Sequence, residues 1–230
     1  MSNFIGIDIS LNSTAIYIEN DSKQTILSFT NKKENNIYIQ ELKHQGVLVF
    51  HIDREKTDVY SDNEMLKLLH YRDLSDLIIE QILNNIDSNK KTYCQIEGYS
   101  FSKNTSSILD IVSLSTMIRL SLINNIDNID ISIISPSTLK LETCKLVYPP
   151  IDIGKRKPRL KYVNKEGISG GSFKKPDMFK AMLDGNIDCP ILNMLWTYKD
   201  LTERKKIPNP IEDIIDSILA CKLKKKEIIE

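Results

Sequence analysis

Hydrophobic residues set two rhythms along this chain. Phe4-Ile5-Gly6-Ile7-Asp8-Ile9 is a short apolar run closed by Ser10-Leu11-Asn12-Ser13, which predicts a buried strand and a tight turn. Thr14–Glu19 alternates around β-branched residues and predicts a second strand, and Gln24–Thr30 a third. Two more β-rich runs follow, Ile37-Tyr38-Ile39 and Val47-Leu48-Val49-Phe50. The period then lengthens. From Ser61 or Asp62, either a fit N-cap, apolar residues recur at helical spacing through Met65, Leu69, Leu74, Ile78, Ile82 and Ile86.

Thr92–Glu97 returns to a strand, and Thr105–Asn125 predicts a long helix whose apolar residues face nearly every side. Such a helix is expected to bury one face in the core and to offer the other to a symmetric partner. Ile129–Ile134 reads as a strand, and Ser137 as the cap of a short helix holding Leu139 and Leu141. Periodicity disappears over 147–174, where Pro149-Pro150, Gly154, Pro158 and Gly170-Gly171 mark irregular chain. Lys175–Asp184, Pro190–Arg204 and about Ile211–Lys226 regain helical spacing. Antiparallel strands, then alternating helix and strand, then a terminal helix predict an α/β fold with a mixed sheet flanked by helices. We expect a single domain over 1–230 with an irregular basic insertion at about 147–174.

Composition narrows the classes. With 41% hydrophobic and 27% charged residues the chain is an ordinary globular one. No uninterrupted apolar run approaches the roughly 18 residues a bilayer span needs. The chain enters its first strand at once, without a leader, so a cytoplasmic protein with no membrane partner is expected. The four cysteines are scattered without a Cys-x-x-Cys, and the three histidines form no ligand pattern, which argues against a zinc site. Net charge is zero but unevenly spread: 12 basic against 18 acidic residues over 1–139, and 19 against 13 over 140–230. A polyanion would meet the C-terminal part.

Four acids stand out because apolar neighbours surround them: Asp8, Glu97, Asp213 and Asp216. Desolvating an isolated carboxylate costs several kcal/mol unless it is paired or binds a cation. Asp8 and Glu97 end strands, while Asp213 and Asp216 are three apart and share a helix face. Brought together they would hold hard divalent cations, which points to metal-assisted phosphodiester hydrolysis. Taken singly, three have a plainer reading, which Asp216, set among Ile214, Ile215, Ile218 and Leu219, resists better. Asp8 would bond turn amides, Glu97 would be a wet strand end, and Asp213 beside Glu212 would complement a helix dipole.

The order of these motifs resembles the RuvC-like Holliday junction resolvases of the ribonuclease H-like superfamily, nearest in style to phage- or virus-encoded members. Ile5-Gly6-Ile7-Asp8-Ile9-Ser10 with Thr14 looks like their opening motif, and Ile96-Glu97-Gly98-Tyr99-Ser100-Phe101 like their second. Ser135-Pro136-Ser137-Thr138-Leu139-Lys140 is similar to the turn before their basic segment, and Asp213-Ile214-Ile215-Asp216-Ser217 to their last motif. The resemblance implies a mixed five-stranded sheet, two Mg²⁺ or Mn²⁺ ions per active site, and a homodimer that makes paired nicks in branched double-stranded DNA, acting in the host cytoplasm. By motif, Asp8, Glu97, Asp213 and Asp216 would be the metal ligands and catalytic acids, with Lys140 and Lys174 or Lys175 as DNA contacts. The segments 33–60 and 147–174 are longer than in the family, so substrate choice is the part it implies least firmly.

A basic run, Lys155, Arg156, Lys157, Arg159, Lys161, Lys165, Lys174 and Lys175, would neutralise phosphates, with Tyr162 and Phe173 available to stack on bases. The plain reading is a solvated loop. Lys222, Lys224, Lys225 and Lys226 read as last-turn lysines favoured by a helix dipole. Two rivals to a nuclease remain at this stage. An actin-like ATP-dependent kinase also opens with Gly-Ile-Asp but needs more glycine than the 8 present. A non-catalytic module that binds branched DNA would carry the same basic segment.

Overall fold

Alternation and turn chemistry give the first three strands as expected: β1 (Asn3–Asp8), β2 (Ser13–Glu19) and β3 (Gln24–Thr30). The structure, a computed structural model, describes residues 2–99, 105–154, 159–189 and 207–229. Between β1 and β2, Ser10 Oγ donates to the Ser13 carbonyl at 2.7 Å and accepts from the Ser13 amide at 3.1 Å, which closes the turn beside Asp8. The run Ile37-Tyr38-Ile39 is not a strand: it opens helix α1 (Ile37–His44). Asn36 accepts from the Tyr38 amide at 2.9 Å, and Ile39 and Leu42, three apart, form the buried stripe. Cap and stripe outweigh the local β preference.

Strand β4 (Leu48–His51) pairs parallel to β3, and β5 (Thr92–Glu97) and β6 (Ile129–Ile134) extend the sheet in parallel beyond β1. The order is β4-β3-β2-β1-β5-β6, so a sixth strand joins the five that the resemblance implies. β1 lies inside the sheet, and pleating splits its residues between two cores. Ile5 and Ile7 meet Cys94, Ile96 and the helices α2 (Tyr60–Leu83) and α3 (Thr105–Asn125). Phe4, on the other face, belongs to a core with α4 (Pro136–Val147), α5 (Lys175–Asp184) and α6 (Ile211–Ile229).

Helix starts differ by small steps from the sequence reading. α2 begins at Tyr60, with Val59 at the cap position and no side-chain cap bond. α4 is capped by Ser135 rather than Ser137: Ser135 Oγ accepts from the Thr138 amide at 3.1 Å, and Pro136 opens the helix. In α3 the residues Leu114, Ile118 and Leu122 are buried, whereas Leu109, Leu120 and Ile123 are exposed on the opposite side. Its Ser107–Asn125 stretch is long and apolar enough to cross a membrane by length and composition, contrary to the expectation from uninterrupted runs. Its buried stripe is packed into the core beneath the sheet. Within 147–174 the chain forms a small hairpin, β7 (Ile151–Asp152) with β8 (Leu160–Lys161), and a single helical turn at Gly170–Ser172. The expected helix over Pro190–Arg204 lies outside the described residues.

Candidate active site

Parallel pairing of β1 with β5 puts Ile7 opposite Ile96. The next residues, Asp8 and Glu97, therefore finish neighbouring strands on the same face. That face also carries Gly6, and α6 crosses directly over it. A Cβ at Gly6 would collide with the Ser217 carbonyl and the Cys221 backbone nitrogen. The missing side chain lets the helix lie close to the sheet. The apolar side of α6, Ile211, Ile214, Ile215, Ile218 and Leu219, is buried and fixes its rotation. With the helix so seated, Asp213 and Asp216 lie over the end of β1.

One carboxylate oxygen from each of Asp8, Glu97 and Asp216 falls within 4.8 Å of the other two. Asp213 borders the same group, close enough to Asp8 for their carboxyls to interact directly. Asp216 and Asp213 are buried, while Asp8 and Glu97 are partly so. Burial pushes the Asp8 carboxyl well above its ordinary value, and the charges of Glu97 and Asp213 push it further. Burial also raises Asp213, to about 7, with Glu212 adding to the rise and Lys175 opposing it. Glu97 is raised by burial against the pull of Lys175 and Lys140. Asp213 Oδ2 and Asp216 Oδ1 are buried without a hydrogen-bond partner among the described residues. Crowded hard oxygens, like charges and unpaired lone pairs are what a divalent cation relieves, so the donor set fits Mg²⁺ or Mn²⁺.

A cavity of about 450 Å³ opens onto Asp8 and Glu97 and is also lined by Ser10, Tyr99, Lys140 and Lys175. Of the two adjacent lysines, Lys175 is the one in the cleft, where it forms an ion pair with Asp216. Lys174 is exposed, and its amide donates to Asp177 Oδ2 at 2.7 Å as α5 begins. Arg159 and Lys161 are exposed on the β7–β8 hairpin and do not line the cleft. Lys155, Arg156 and Lys157 lie outside the described residues.

Phe173 cannot stack on bases as the sequence reading allowed. It is 1% exposed, in the core, with its ring edge-on to Tyr148 at 6.5 Å. Tyr162 is half-buried beneath Lys145, whose ammonium lies 5.5 Å from its ring. Lys222 and Lys225 do more than complement a dipole, since each reaches Glu19 at 2.7 Å. Sequence reasoning missed Arg119, whose guanidinium lies 5.2 Å over the Tyr99 ring at the cleft edge. The available signal was its being the one basic residue in the long apolar helix.

No model of a known protein family matches the sequence, and neither does any curated protein. Solved structures do. The yeast mitochondrial Holliday junction resolvase Ydc2 aligns over 96% of this chain and 77% of its own, with a TM-score of 0.50 at 12% identity. Thermus thermophilus RuvC in complex with a Holliday junction substrate aligns over 97% and 92%, with a TM-score of 0.42 at 7% identity. At such identities the likeness is one of architecture alone. The chain has the ribonuclease H-like fold of the RuvC-like resolvases.

Proposed function

We propose that this protein is a metal-dependent, structure-selective DNA endonuclease, most simply one that resolves Holliday junctions by paired nicks. The observation that carries the reading is the meeting of Asp8, Glu97 and Asp216 within 4.8 Å at one end of the sheet, from three remote parts of the chain. Asp213 completes a set of four acids, which would hold two Mg²⁺ or Mn²⁺ ions. Bound there, the ions would supply an activated water and charge stabilisation at the leaving oxygen. The chain's own part is placement. Asp8, bordered by Glu97 on one side and Asp213 on the other, is the acid best placed to be shared. Lys140 and Lys175 line the same cleft and would hold the phosphate whose bond to the sugar oxygen breaks as its bond to water forms. Lys174, the hairpin residues Arg159 and Lys161, and the segment Lys155-Arg156-Lys157 would neutralise more distant phosphates.

Paired nicks need two sites, and a homodimer would provide them. The exposed Leu109, Leu120 and Ile123 of α3, with Met65 and Leu68 of α2, give a partner an apolar surface to cover. The decisive experiment is Asp8→Asn with a labelled four-way junction and Mg²⁺ or Mn²⁺. Nicking should fall by about 10³-fold or more, the loss expected of a centre that works by electrostatic stabilisation, while junction binding in EDTA stays within a factor of two. Undiminished nicking would remove Asp8 from the centre. Comparing four-way, three-way and linear DNA then separates a junction resolvase from a fork or flap nuclease.

A further inference from the structure

Sequence reasoning left the long 33–60 segment without a role. Its end lines a cavity that adjoins the cleft. Leu11 and Asn12, in the turn after Asp8, line the cleft and also a second cavity of about 260 Å³. Asn31, Arg54, Lys56, His70 and Tyr71 wall this second cavity. Two carboxylates, Asp53 and Asp110, share its lining with these donors. Asp110 is occupied by Lys67 at 3.3 Å, and Asp53 accepts from the Arg54 amide at 2.9 Å. Among the described residues neither the Arg54 guanidinium nor the Lys56 ammonium is held in an ion pair. The Tyr71 hydroxyl, in a residue only 5% exposed, meets no partner at full hydrogen-bond geometry among them, and the Arg54 side chain beside it is close enough to interact with it directly. Cations outside any ion pair, one of them beside a buried hydroxyl, form a receptor for an anionic oxygen.

We propose that this cavity is a second phosphate subsite, holding a backbone phosphate of the strand whose scissile bond lies at the carboxylates. The assignment rests on the endonuclease reading. Arg54 is its principal ligand, since a guanidinium grips phosphate through two parallel N–H bonds. Lys56, His70 and the Tyr71 hydroxyl supply further donors. Burial, then the Arg54 charge, holds the His70 imidazole below its usual range. Lys140 and Lys175 grip the strand inside the cleft, and the strand then passes Asn12 to reach Arg54. Cations on both sides of the acids fix its path and direction.

The test uses the full chain in EDTA, a fluorescent four-way junction, and anisotropy at several salt concentrations. Arg54→Ala with Lys56→Ala should weaken binding about tenfold or more and lower the salt slope by roughly one to two. Arg54→Lys should recover part of the loss, and the melting temperature should stay within 2 °C or so. Single methylphosphonate replacements near the nick give the independent readout. One or two positions should weaken wild-type binding but leave the double variant unaffected. A double variant that binds within a factor of two, or a methylphosphonate pattern identical in both proteins, overturns the subsite. If the wild type neither binds nor nicks branched DNA, the endonuclease reading falls and takes the subsite with it. If the wild type does both and the double variant matches it, the subsite alone falls.

Discussion

Asp213→Asn should make the cation-free protein more stable, although it removes a residue from the centre of the site. The folded state holds the Asp213 carboxyl at about 7 against an ordinary 3.8, chiefly because it is buried. Three pH units at about 1.4 kcal/mol each give a ceiling of roughly 4 kcal/mol for the cost of its charge. Local relaxation around the charge halves this, to about 2 kcal/mol. The sign follows from proton counting. Between about pH 4 and pH 7 the folded protein keeps a proton that the unfolded chain has lost, so stability falls as pH rises through that window. The cost is absent below the unfolded value and complete above about 7. Melting in EDTA should therefore show Asp213→Asn about 4–8 °C above wild type at pH 8, and level with it at pH 4. With excess Mn²⁺ the order should reverse at pH 8, because binding stabilises the wild type and the variant has lost a ligand. A variant less stable than wild type in EDTA at pH 8, or stabilised equally by Mn²⁺, would refute the account of a strained acidic centre.

Two other substitutions test how the site is held. Gly6→Ala would drive a methyl group into the Ser217 carbonyl and Cys221, so α6 must shift. We expect a loss of about 3 kcal/mol in urea denaturation and a weaker Mn²⁺ stabilisation, and an unchanged Mn²⁺ response would show that the close approach is irrelevant to the acids. Glu19→Gln would leave Lys222, whose side chain is only 14% exposed, without its counter-ion. The expected loss is about 3 kcal/mol, and a change below about 0.5 kcal/mol would show the pairs to be incidental.

Elements whose cause is local were legible in the sequence. Strand β1 announces itself as a short apolar run and β2 by β-branched alternation, and the four acids by charge set within apolar surroundings. The i, i+3 spacing of Asp213 and Asp216 was enough to place both on one helix face. What stayed hidden depends on tertiary partners. Nothing near Ile37 shows that Leu42 will find a core, so the β-rich triplet read as a strand. Lys174 and Lys175 are equivalent as letters, and only the rotation of α5, set where Lys174 bonds to Asp177, sends Lys175 into the cleft. Phe173 looked like a residue of the basic loop because the loop's packing against α4 and α5 has no periodic signature. The Glu19–Lys222 pair joins residues 203 apart, a separation no local pattern encodes.

The packing of α6 explains why stability and chemistry are coupled in this fold. One side of the helix supplies Ile214, Ile215 and Ile218 to the core and is held against the sheet by burial worth about 1.5–3 kcal/mol per side chain. Asp213 and Asp216 travel with that side, so the force that seats the helix also compresses the acids against Asp8 and Glu97. Lys222 and Lys225 anchor the far end to Glu19 on β2, which leaves the helix little freedom to swing the acids apart. The carboxylates are thus held at close range in advance of any cation, the hydrophobic contacts bearing the cost of their repulsion. A looser helix would relieve that repulsion and, by the same movement, scatter the oxygens that a cation needs together.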